Sequence, residues 1–421
     1  MMKESVDALF VGISELLPLT EGPERGAVRG SEMAKVEVVR GGAIAVREGR
    51  VVATGTTEEI TKVYEAPLTR DLKGLVVLPG FVDAHTHPVF GETREGEFHL
   101  RCRGADYVEI ARKGGGILSS VRSLRAVPED VLVSKVRERL RGFLALGTTS
   151  IEGKSGYGLS TESELKSLRA LRAAGEQAGL TVSPTFLGAH EVAPEYREDP
   201  EAYVDLLCEE MLEAARPLAD SCDAFIEDHV FHLAQGRRIF ERARELGYRL
   251  RAHVDELSPL GGTELAVELG AASADHLLYL SDAGLEALAA SDTTAVLLPG
   301  TSFFLRKERY APGRRLVDAG AKVALATDYN PGSCYTQSLP MIATLACLHF
   351  AFSPAECLQA MTRNAADSLG LDAERGTLHA GKAADFAAFQ FPSFQGLGYR
   401  FGDNPCVLTV KDGVIVHEVA P

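Results

Sequence analysis

Short β-rich runs alternate with amphipathic helical segments through the middle of this sequence, and this alternation limits the fold more than any other feature. The candidate strands lie near residues 81–85, 148–152, 182–187, 223–227, 249–253, 272–275, 294–298 and 322–327. The amphipathic segments between them include residues 129–146, 162–178, 201–216, 235–246, 262–269 and 282–290. Eight strands with helical connections is the count of a (β/α)8 TIM-like barrel, although the alternation alone fits a doubly wound open sheet equally well.

Both ends of the chain show a different pattern, in which apolar and polar residues alternate. Residues 41–55 alternate around a Glu-Gly-Arg turn, and residues 406–418 alternate around Asp412-Gly413, a dipeptide that favours a hairpin. Neither end is long enough for a core of its own, so we expect the two to pair. The sequence therefore predicts an α/β protein in which a small β-sandwich domain, residues 1–77 and 375–421, accompanies a barrel formed by residues 78–374.

The charge and the cysteine content argue against several classes of partner. The 421 residues include 44 Lys and Arg against 59 Asp and Glu, a net charge of −15, whereas nucleic acids and anionic membranes select basic surfaces. No stretch approaches the ~18 uninterrupted apolar residues of a membrane-spanning helix. The seven cysteines are scattered without a Cys-x-x-Cys pair, which indicates a reducing cytoplasm and argues against a thiolate zinc site.

Residues of the kind that bind metals stand at the C-terminal edges of several predicted strands. His85-Thr86-His87 ends the first strand, and side chains at i and i+2 of a strand share a face, so the two imidazoles can share one metal. The other candidates at such edges are His190, His253, His276 and Asp328. Each alone could be a structural histidine or a capping aspartate. Together they indicate an active site, because the loops of a barrel converge at that edge.

The type of ligand indicates the chemistry. Three imidazoles and one carboxylate, without a thiolate, suit Zn²⁺ or Fe²⁺ better than Mg²⁺ or Ca²⁺. A divalent ion facing one carboxylate keeps a net positive charge, which lowers the pKa of a bound water from about 15.7 toward ~7. Hydrolysis is therefore the reaction class that the sequence favours.

Three other motifs do not support a function. Gly153-Lys154-Ser155 is similar to the end of a phosphate-binding loop, but Thr148 stands where that motif needs glycine. The same segment is one residue too short for the Gly-x-Ser-x-Gly turn of serine hydrolases. His229 and His232 are interpreted as surface or loop histidines.

Several motifs resemble a known family. The run Pro-Gly-Phe-Val-Asp-x-His-x-His, which ends at His87, and residues 363–386 resemble the amidohydrolase superfamily. Within that superfamily, residues 96–117, 152–159, 185–196, 253–277 and 326–333 resemble the imidazolonepropionase family of histidine degradation. Together these stretches run through nearly the whole chain.

The resemblance implies a mononuclear hydrolase, an expectation with which the absence of lysine from residues 223–232 agrees. One Zn²⁺ or Fe²⁺/Fe³⁺ ion would be held by His85, His87, His253 and Asp328. Protons would be handled by Glu256, His276 and Asp328. The residues implied to hold the substrate are Arg94, Tyr107, Tyr157, His190, Glu256, Asn330, Gly332 and Ser333. The family also implies a homodimer.

The implied substrate, 4-imidazolone-5-propanoate, has chemistry that these residues could serve. Arg94 can hold the carboxylate tail with two parallel N–H bonds, which a lysine could not match. The metal and a protonated His276 would stabilise the developing oxyanion. Glu256 or Asp328 would pass a proton to the leaving ring nitrogen, and ring opening would give N-formimidoyl-L-glutamate.

Two alternatives remain beside this interpretation. Another cyclic-amide hydrolase, or a purine-type deaminase, would share the metal ligands but would have no need of a carboxylate-binding residue, so Arg94, Tyr157 and His190 argue against it. A non-catalytic scaffold should have lost metal ligands, and here all four are present.

Overall fold

Eight parallel strands form the predicted barrel. A computed structural model describes residues 3–104 and 115–419. The barrel strands neighbour one another in the order of the sequence: Phe81–Asp83, Thr148–Lys154, Thr181–Ala189, Ser221–Ile226, Arg249–Val254, Ser273–His276, Thr294–Leu297 and Lys322–Leu325. Hydrogen bonds from Asp328 N to His85 O and from His87 N to Tyr329 O join the first strand's end to the eighth's. The barrel therefore closes at the C-terminal edge.

Helices surround this barrel and bury their apolar faces against the outer side of its strands. One of them, Glu129–Leu144, buries Leu132, Val136, Leu140 and Phe143, a spacing of three to four residues that leaves its charged residues partly or fully exposed. The segment predicted as one helix near 201–216 is continuous, with a π-helical turn, Leu207–Met211, in its middle. Within residues 84–104 and 115–419, the α-helices are Glu95–Cys102, Ile117–Ala126, Glu129–Leu144, Thr161–Ala178, Pro200–Leu206, Leu212–Ala215, Leu233–Glu245, Gly262–Glu268, Asp282–Ala289, Pro299–Phe304, Gly313–Asp318, Leu339–Phe350, Pro354–Ala360 and Arg363–Leu369.

The two ends of the chain pair in one mixed sheet, as predicted. Its strands lie in the order Val414–Glu418, Cys406–Lys411, Phe386–Phe389, Val76–Pro79, Ala8–Leu16, Val39–Arg47 and Arg50–Thr56, with Leu68–Asp71 also paired to Ala8–Leu16. Glu4–Ser5 and Tyr64–Glu65 form a separate two-stranded sheet, and the helix Thr57–Val63 packs beside it. The proposed division at residue 77 falls inside the strand Val76–Pro79 and stays a prediction.

Both predicted turns are two-residue hairpins. Asp412 and Gly413 have φ values of 48° and 77°, and Glu48 and Gly49 have φ values of 51° and 72°. Two successive residues with positive φ match the right-handed twist of the strands that they join. Phe10 and Phe386, one from each end of the chain, meet edge to face in the core of this sheet at a centroid distance of 4.8 Å. Among the described residues, no helix is long and apolar enough to cross a membrane.

Candidate metal centre and substrate pocket

The polar residues predicted at the strand ends do lie together at the C-terminal edge of the barrel. His253 and His276 belong to the fifth and sixth strands. His85 and His87 come directly after the first strand, which ends at Asp83 and so is shorter than the predicted run. Asp328 follows the eighth strand in the same way.

Three histidines form a buried cluster with the geometry of a metal site. One ring nitrogen from each of His85, His87 and His253 lies within 4.8 Å of the other two. The Nε2 atoms of His85 and His87 are 3.2 Å apart. The Asp328 Oδ1 atom lies 3.6 Å from His85 Nε2 and 3.5 Å from His87 Nε2, so a carboxylate stands beside two of the three rings.

Carboxylates behind two of these rings determine which nitrogen faces the cluster. His85 Nδ1 lies 2.6 Å from Asp275 Oδ2, and His253 Nδ1 lies 3.0 Å from Asp223 Oδ2. A ring that donates its Nδ1–H to a carboxylate presents an Nε2 lone pair on its other side. The Nε2 lone pairs of His85 and His253 then face the cluster, an arrangement of donors that fits a divalent metal ion.

Burial acts differently on the individual ligands. It holds the pKa values of His85 and His87 well below the usual range, so both rings are neutral at neutral pH. Burial also lowers the pKa of His253, but the Asp223 carboxylate outweighs it and raises that pKa above its usual value. Burial raises the pKa of Asp328 to about 7, although the Thr301 hydroxyl donates to its Oδ2 atom, so a metal ion would compete with a proton at both residues. Without those protons, three imidazoles and one carboxylate are a donor set for Zn²⁺ or Fe²⁺.

The backbone is strained where the site residues leave their strands. His276 has a φ of 78°, Asp328 a φ of 52° and Asp255 a φ of 50°. Residues other than glycine rarely adopt positive φ, and they do so where the surrounding structure holds them and the position serves a site. This conformation turns the chain sharply at the C-terminal edge of the barrel, where the site residues lie.

Glu256 lies beside the cluster between two basic side chains. Its Oε1 atom accepts a 3.3 Å hydrogen bond from Lys307 Nζ, and its Oε2 atom lies 3.6 Å from His276 Nε2. Its backbone N–H donates to the buried carboxylate of Glu227 at 2.8 Å. Burial alone would raise the pKa of Glu256, but His276 and Lys307 hold it below its usual value. Glu256 is therefore an ionised carboxylate able to accept a proton.

His276 differs from expectation in its charge. Burial lowers its pKa to about 3, against the opposing effect of Glu256. The structure thus favours a neutral ring at neutral pH over the protonated one expected from the sequence. A neutral imidazole still carries one N–H, so His276 can donate a hydrogen bond without a positive charge.

A cavity of about 510 Å³ opens above the histidine cluster, a volume within the usual range for small-molecule sites. Arg94 lines it and donates from Nε and Nη2 to the two oxygens of Glu97, at 3.0 and 2.6 Å. Among the described residues, none accepts from Arg94 Nη1. Arg101 also lines the cavity, and it donates to Gly332 O at 2.8 Å.

The last loop of the site is folded by Asn330. Its Oδ1 atom accepts from the N–H groups of Gly332 and Ser333, at 2.8 and 2.7 Å. A Cβ at position 332 would stand 2.3 Å from Arg94 Nη1, so a larger residue there would displace the end of the Arg94 side chain. This loop therefore packs closely against the Arg94 guanidinium at the cavity wall.

Two rings complete the wall nearest the metal cluster. His190 stacks on His87 with their centroids 5.1 Å apart, and its Nδ1 atom lies 3.0 Å from Gly156 O. Tyr157 lies 5.3 Å from the His190 ring, and burial raises its pKa, so its hydroxyl stays protonated. Both side chains can donate to a ligand.

The structure brings most of the predicted site residues to one place. Those that line the cavity are His87, Arg94, Tyr157, His190, His253, Glu256, His276, Asp328, Asn330, Gly332 and Ser333. His85 lies beneath them in the metal cluster. Tyr107 lies outside the described residues. His229 stands in a loop, as interpreted, and lines the cavity without joining the metal cluster.

Sequence reasoning missed four charged residues of the cavity wall: Glu97, Arg101, Glu191 and Lys307. Glu97 stands three residues after Arg94 in a helical segment, and that spacing could have indicated the pair. Lys307 had no such signal. It is placed by the turn that ends the helix Pro299–Phe304, where Arg306 has a φ of 58° and Lys307 N bonds to Ser302 O.

Comparisons with known proteins show the family of this chain. The amidohydrolase family model matches residues 76–416. The chain is 50% identical to the imidazolonepropionase of Symbiobacterium thermophilum over 417 residues, which cover 98% of this chain and 97% of that protein. It is 41% identical to the imidazolonepropionase of Alkaliphilus metalliredigens, with 98% of each chain covered.

Solved structures show the same fold at low identity. The guanine deaminase of E. coli superimposes with a TM-score of 0.75 at 17% identity, with 98% of this chain and 99% of that chain covered. A zinc-bound adenosine deaminase of Xanthomonas campestris gives a TM-score of 0.74 at 17% identity, with 99% and 94% covered. From the matched family model and these closely similar relatives, the chain belongs to the amidohydrolase family and, within it, to the imidazolonepropionases.

Proposed function

We propose that this chain hydrolyses the ring of 4-imidazolone-5-propanoate and releases N-formimidoyl-L-glutamate. The observation that carries the proposal is the presence of Arg94 in the same cavity as the metal histidines. Glu97 occupies the Nε side of the guanidinium, so the Nη1 end is left for a ligand. A substrate that joins a carboxylate tail to a hydrolysable ring fits an anion-binding end and a metal end in one pocket.

We also propose that the site holds one zinc or iron ion. The ligands would be His85, His87, His253 and Asp328, whose donor atoms suit either metal. When bound, such an ion lowers the pKa of water and polarises a carbonyl oxygen.

The residues around the cluster can complete the reaction. Hydrolysis forms a bond between the water oxygen and the ring carbonyl carbon, breaks the bond from that carbon to the ring nitrogen, and moves one water proton to the nitrogen. Glu256 would accept that proton on its carboxylate and deliver it to the nitrogen. The N–H of His276 would donate to the carbonyl oxygen as negative charge develops there. Asp328, as the second carboxylate at the site, is the other candidate for the proton.

The pocket walls would hold the ring in place. Tyr157 and His190 offer an O–H and an N–H from one side of the cavity. Ser333 lines the opposite part through the loop that Asn330 folds. Donors fixed by buried contacts orient a planar ring at little entropic cost.

An assay with the zinc-loaded protein tests the proposed substrate. We expect the imidazolone absorbance to disappear with 4-imidazolone-5-propanoate, and guanine and adenosine to remain unchanged under the same conditions. Turnover of either purine without turnover of the imidazolone would favour a deaminase and would rule out the proposal.

Exchange of Arg94 for lysine should mainly weaken substrate binding. A lysine replaces a bidentate pair with a point charge, and a hydrogen bond to a charged group contributes about 1.5–3 kcal/mol. We therefore expect R94K to raise KM by roughly 10- to 100-fold and to change kcat much less. Steady-state kinetics on the imidazolone measures both constants.

Two controls accompany this variant. R103K makes the same exchange at an exposed arginine that ends the same helix, and it should leave KM unchanged. A substrate analogue whose tail ends in an amide should be handled alike by R94K and the parent protein. Unchanged kinetics for R94K on the imidazolone would remove Arg94 from the carboxylate site.

The cellular compartment and the oligomeric state of the enzyme are also proposals. All seven cysteines are free thiols, which supports a reducing compartment such as the cytoplasm. A homodimer remains a prediction from the family, and sedimentation velocity would test it.

A further inference from the structure

Five charged side chains are enclosed inside the barrel beneath the metal histidines. They are Glu152, Lys154, Asp223, Arg251 and Asp275, each with no exposed surface. We call them the buried ion cluster. None of them lines the cavity, and none has a part in the reaction described above. Charged residues are almost never fully buried without a compensating partner, so these five are expected to pair with one another inside the barrel.

The strands place these residues on the inner face of the barrel. Glu152 and Lys154 stand two apart on the second strand, Thr148–Lys154, so both side chains point to the same side. Asp223, Arg251 and Asp275 come from the fourth, fifth and sixth strands. The cluster thus links four of the eight strands directly under the site.

Lys154 contacts the carboxylates that orient the metal ligands. Its Nζ atom donates to Asp223 Oδ2 at 2.6 Å and lies 4.0 Å from Asp275 Oδ2. The same Asp223 oxygen is 3.0 Å from His253 Nδ1, and the same Asp275 oxygen is 2.6 Å from His85 Nδ1. One ammonium group therefore faces both of the oxygens that hold His253 and His85.

The remaining members anchor this ammonium group and balance its charge. Lys154 Nζ also donates to Glu152 Oε1 at 2.7 Å, and Arg251 Nε lies 2.9 Å from that oxygen. Thr185 donates to the same oxygen at 2.6 Å. Three carboxylates against two cations leave one net negative charge behind the histidines, on the side away from the cavity.

A purely structural role is the simpler alternative, because buried ion pairs are costly to break wherever they lie. The contacts of Lys154 favour an additional role in the metal site. The two carboxylate oxygens nearest the metal histidines are also the ones that Lys154 faces. Its loss would remove the hydrogen bond to Asp223 and one of the two cations beside Asp275, the other being Arg251, whose Nη2 atom lies 3.8 Å from Asp275 Oδ2. Residues that orient metal-bound histidines typically change metal affinity 10- to 100-fold when they are replaced.

We propose that Lys154 is a positioning residue that sets the metal affinity of the site, by fixing Asp223 and Asp275 against the outer nitrogens of His253 and His85. The inference rests on the metal dependence of the proposed function and not on the identity of the substrate. It assigns to an internal lysine a task that is separate from binding the substrate or moving its protons.

Zinc affinity of a Lys154→Met variant tests this inference. The purified protein, stripped of metal and reloaded with zinc, competes with a chromophoric chelator in the absence of substrate. We expect K154M to bind zinc 10- to 100-fold more weakly than the parent protein. K154R, which keeps the positive charge and its donors, should recover part of the lost affinity.

Lys411 provides a matched control in the other domain. Its side chain is buried and pairs with Asp385, at 3.4 Å, and with Asp412. K411M therefore removes a buried ammonium group from between two carboxylates, as K154M does, but far from the histidines in the fold. We expect K411M to lower the melting temperature and to leave zinc affinity unchanged.

Each outcome bears on the inference. Parent-like zinc affinity in K154M, or an equal loss in K411M, would overturn it. If K154M does not fold, the double variant E152Q/K154M, which removes one charge of each sign, carries the same measurement. Rescue of folding by excess zinc would support the inference. Failure of both variants to fold even with excess zinc would overturn it, since Lys154 would then serve the barrel alone.

The proposed function fails in a distinguishable way. A parent protein that binds zinc but leaves the imidazolone unchanged contradicts the proposed substrate, while the difference in zinc affinity between K154M and K411M still stands.

Discussion

Replacement of His253 by alanine is expected to remove both the bound metal and the hydrolase activity while the barrel stays folded. His253 supplies one of the three imidazoles of the buried cluster, and its strand is paired on both sides along its length. A metal ion contributes several kcal/mol to the transition state, and each ~1.4 kcal/mol is a factor of ten. We therefore expect a loss of at least about a thousandfold in kcat/KM.

The measurement has three parts: metal content by mass spectrometry, turnover of the imidazolone, and the circular dichroism spectrum as a check on folding. H229A is the matched control, since His229 lines the same cavity outside the metal cluster, and it should retain zinc. If H253A keeps near-normal turnover with its metal removed, the assignment of the metal site is wrong.

Exchange of Glu256 for glutamine is expected to lower kcat by roughly 10²- to 10⁴-fold, the usual contribution of a general base. Glutamine keeps the shape of the side chain, and its carbonyl oxygen can still accept from Lys307. The backbone bond to Glu227 does not involve the exchanged atoms. The loss should therefore appear in kcat, with KM and zinc content close to those of the parent.

Glu191 offers a control for this exchange, because it is a second acid that lines the same cavity. E191Q should change kcat by only a few-fold. A kcat near the parent value in E256Q, together with a large loss in D328N that still binds zinc, would assign the proton transfer to Asp328 instead.

Much of this fold could be predicted from the sequence because local patterns and long-range contacts agree. The eight apolar runs became the eight barrel strands, with ends displaced by a few residues. Asp412-Gly413 predicted its hairpin because few other dipeptides accept two successive positive φ values. His85, His87 and His253 could be grouped in advance, since parallel strands of a barrel end at a common edge.

Other features depend on neighbours that are distant in the sequence. The ionisation of His276 reflects the enclosure provided by the whole site, so its neutral state could not be derived from strand position. Lys307 reaches Glu256 only because of a turn at the end of a short helix. The buried ion cluster did leave a trace in the sequence, since Glu152, Lys154, Asp223 and Asp275 are charged residues in or next to predicted barrel strands. Its arrangement around Lys154 requires the closed barrel.

The mixed sheet has a consequence for synthesis of the protein. The strand Val76–Pro79, which leads directly into the barrel, has Ala8–Leu16 on one side and Phe386–Phe389 on the other. A nascent chain can therefore satisfy the second side only after residues 386–389 have left the ribosome. Until then an apolar strand has an open edge, the kind of surface on which newly made chains associate with one another. Ribosomal release and access to chaperones thus become part of how reliably this enzyme reaches its native state.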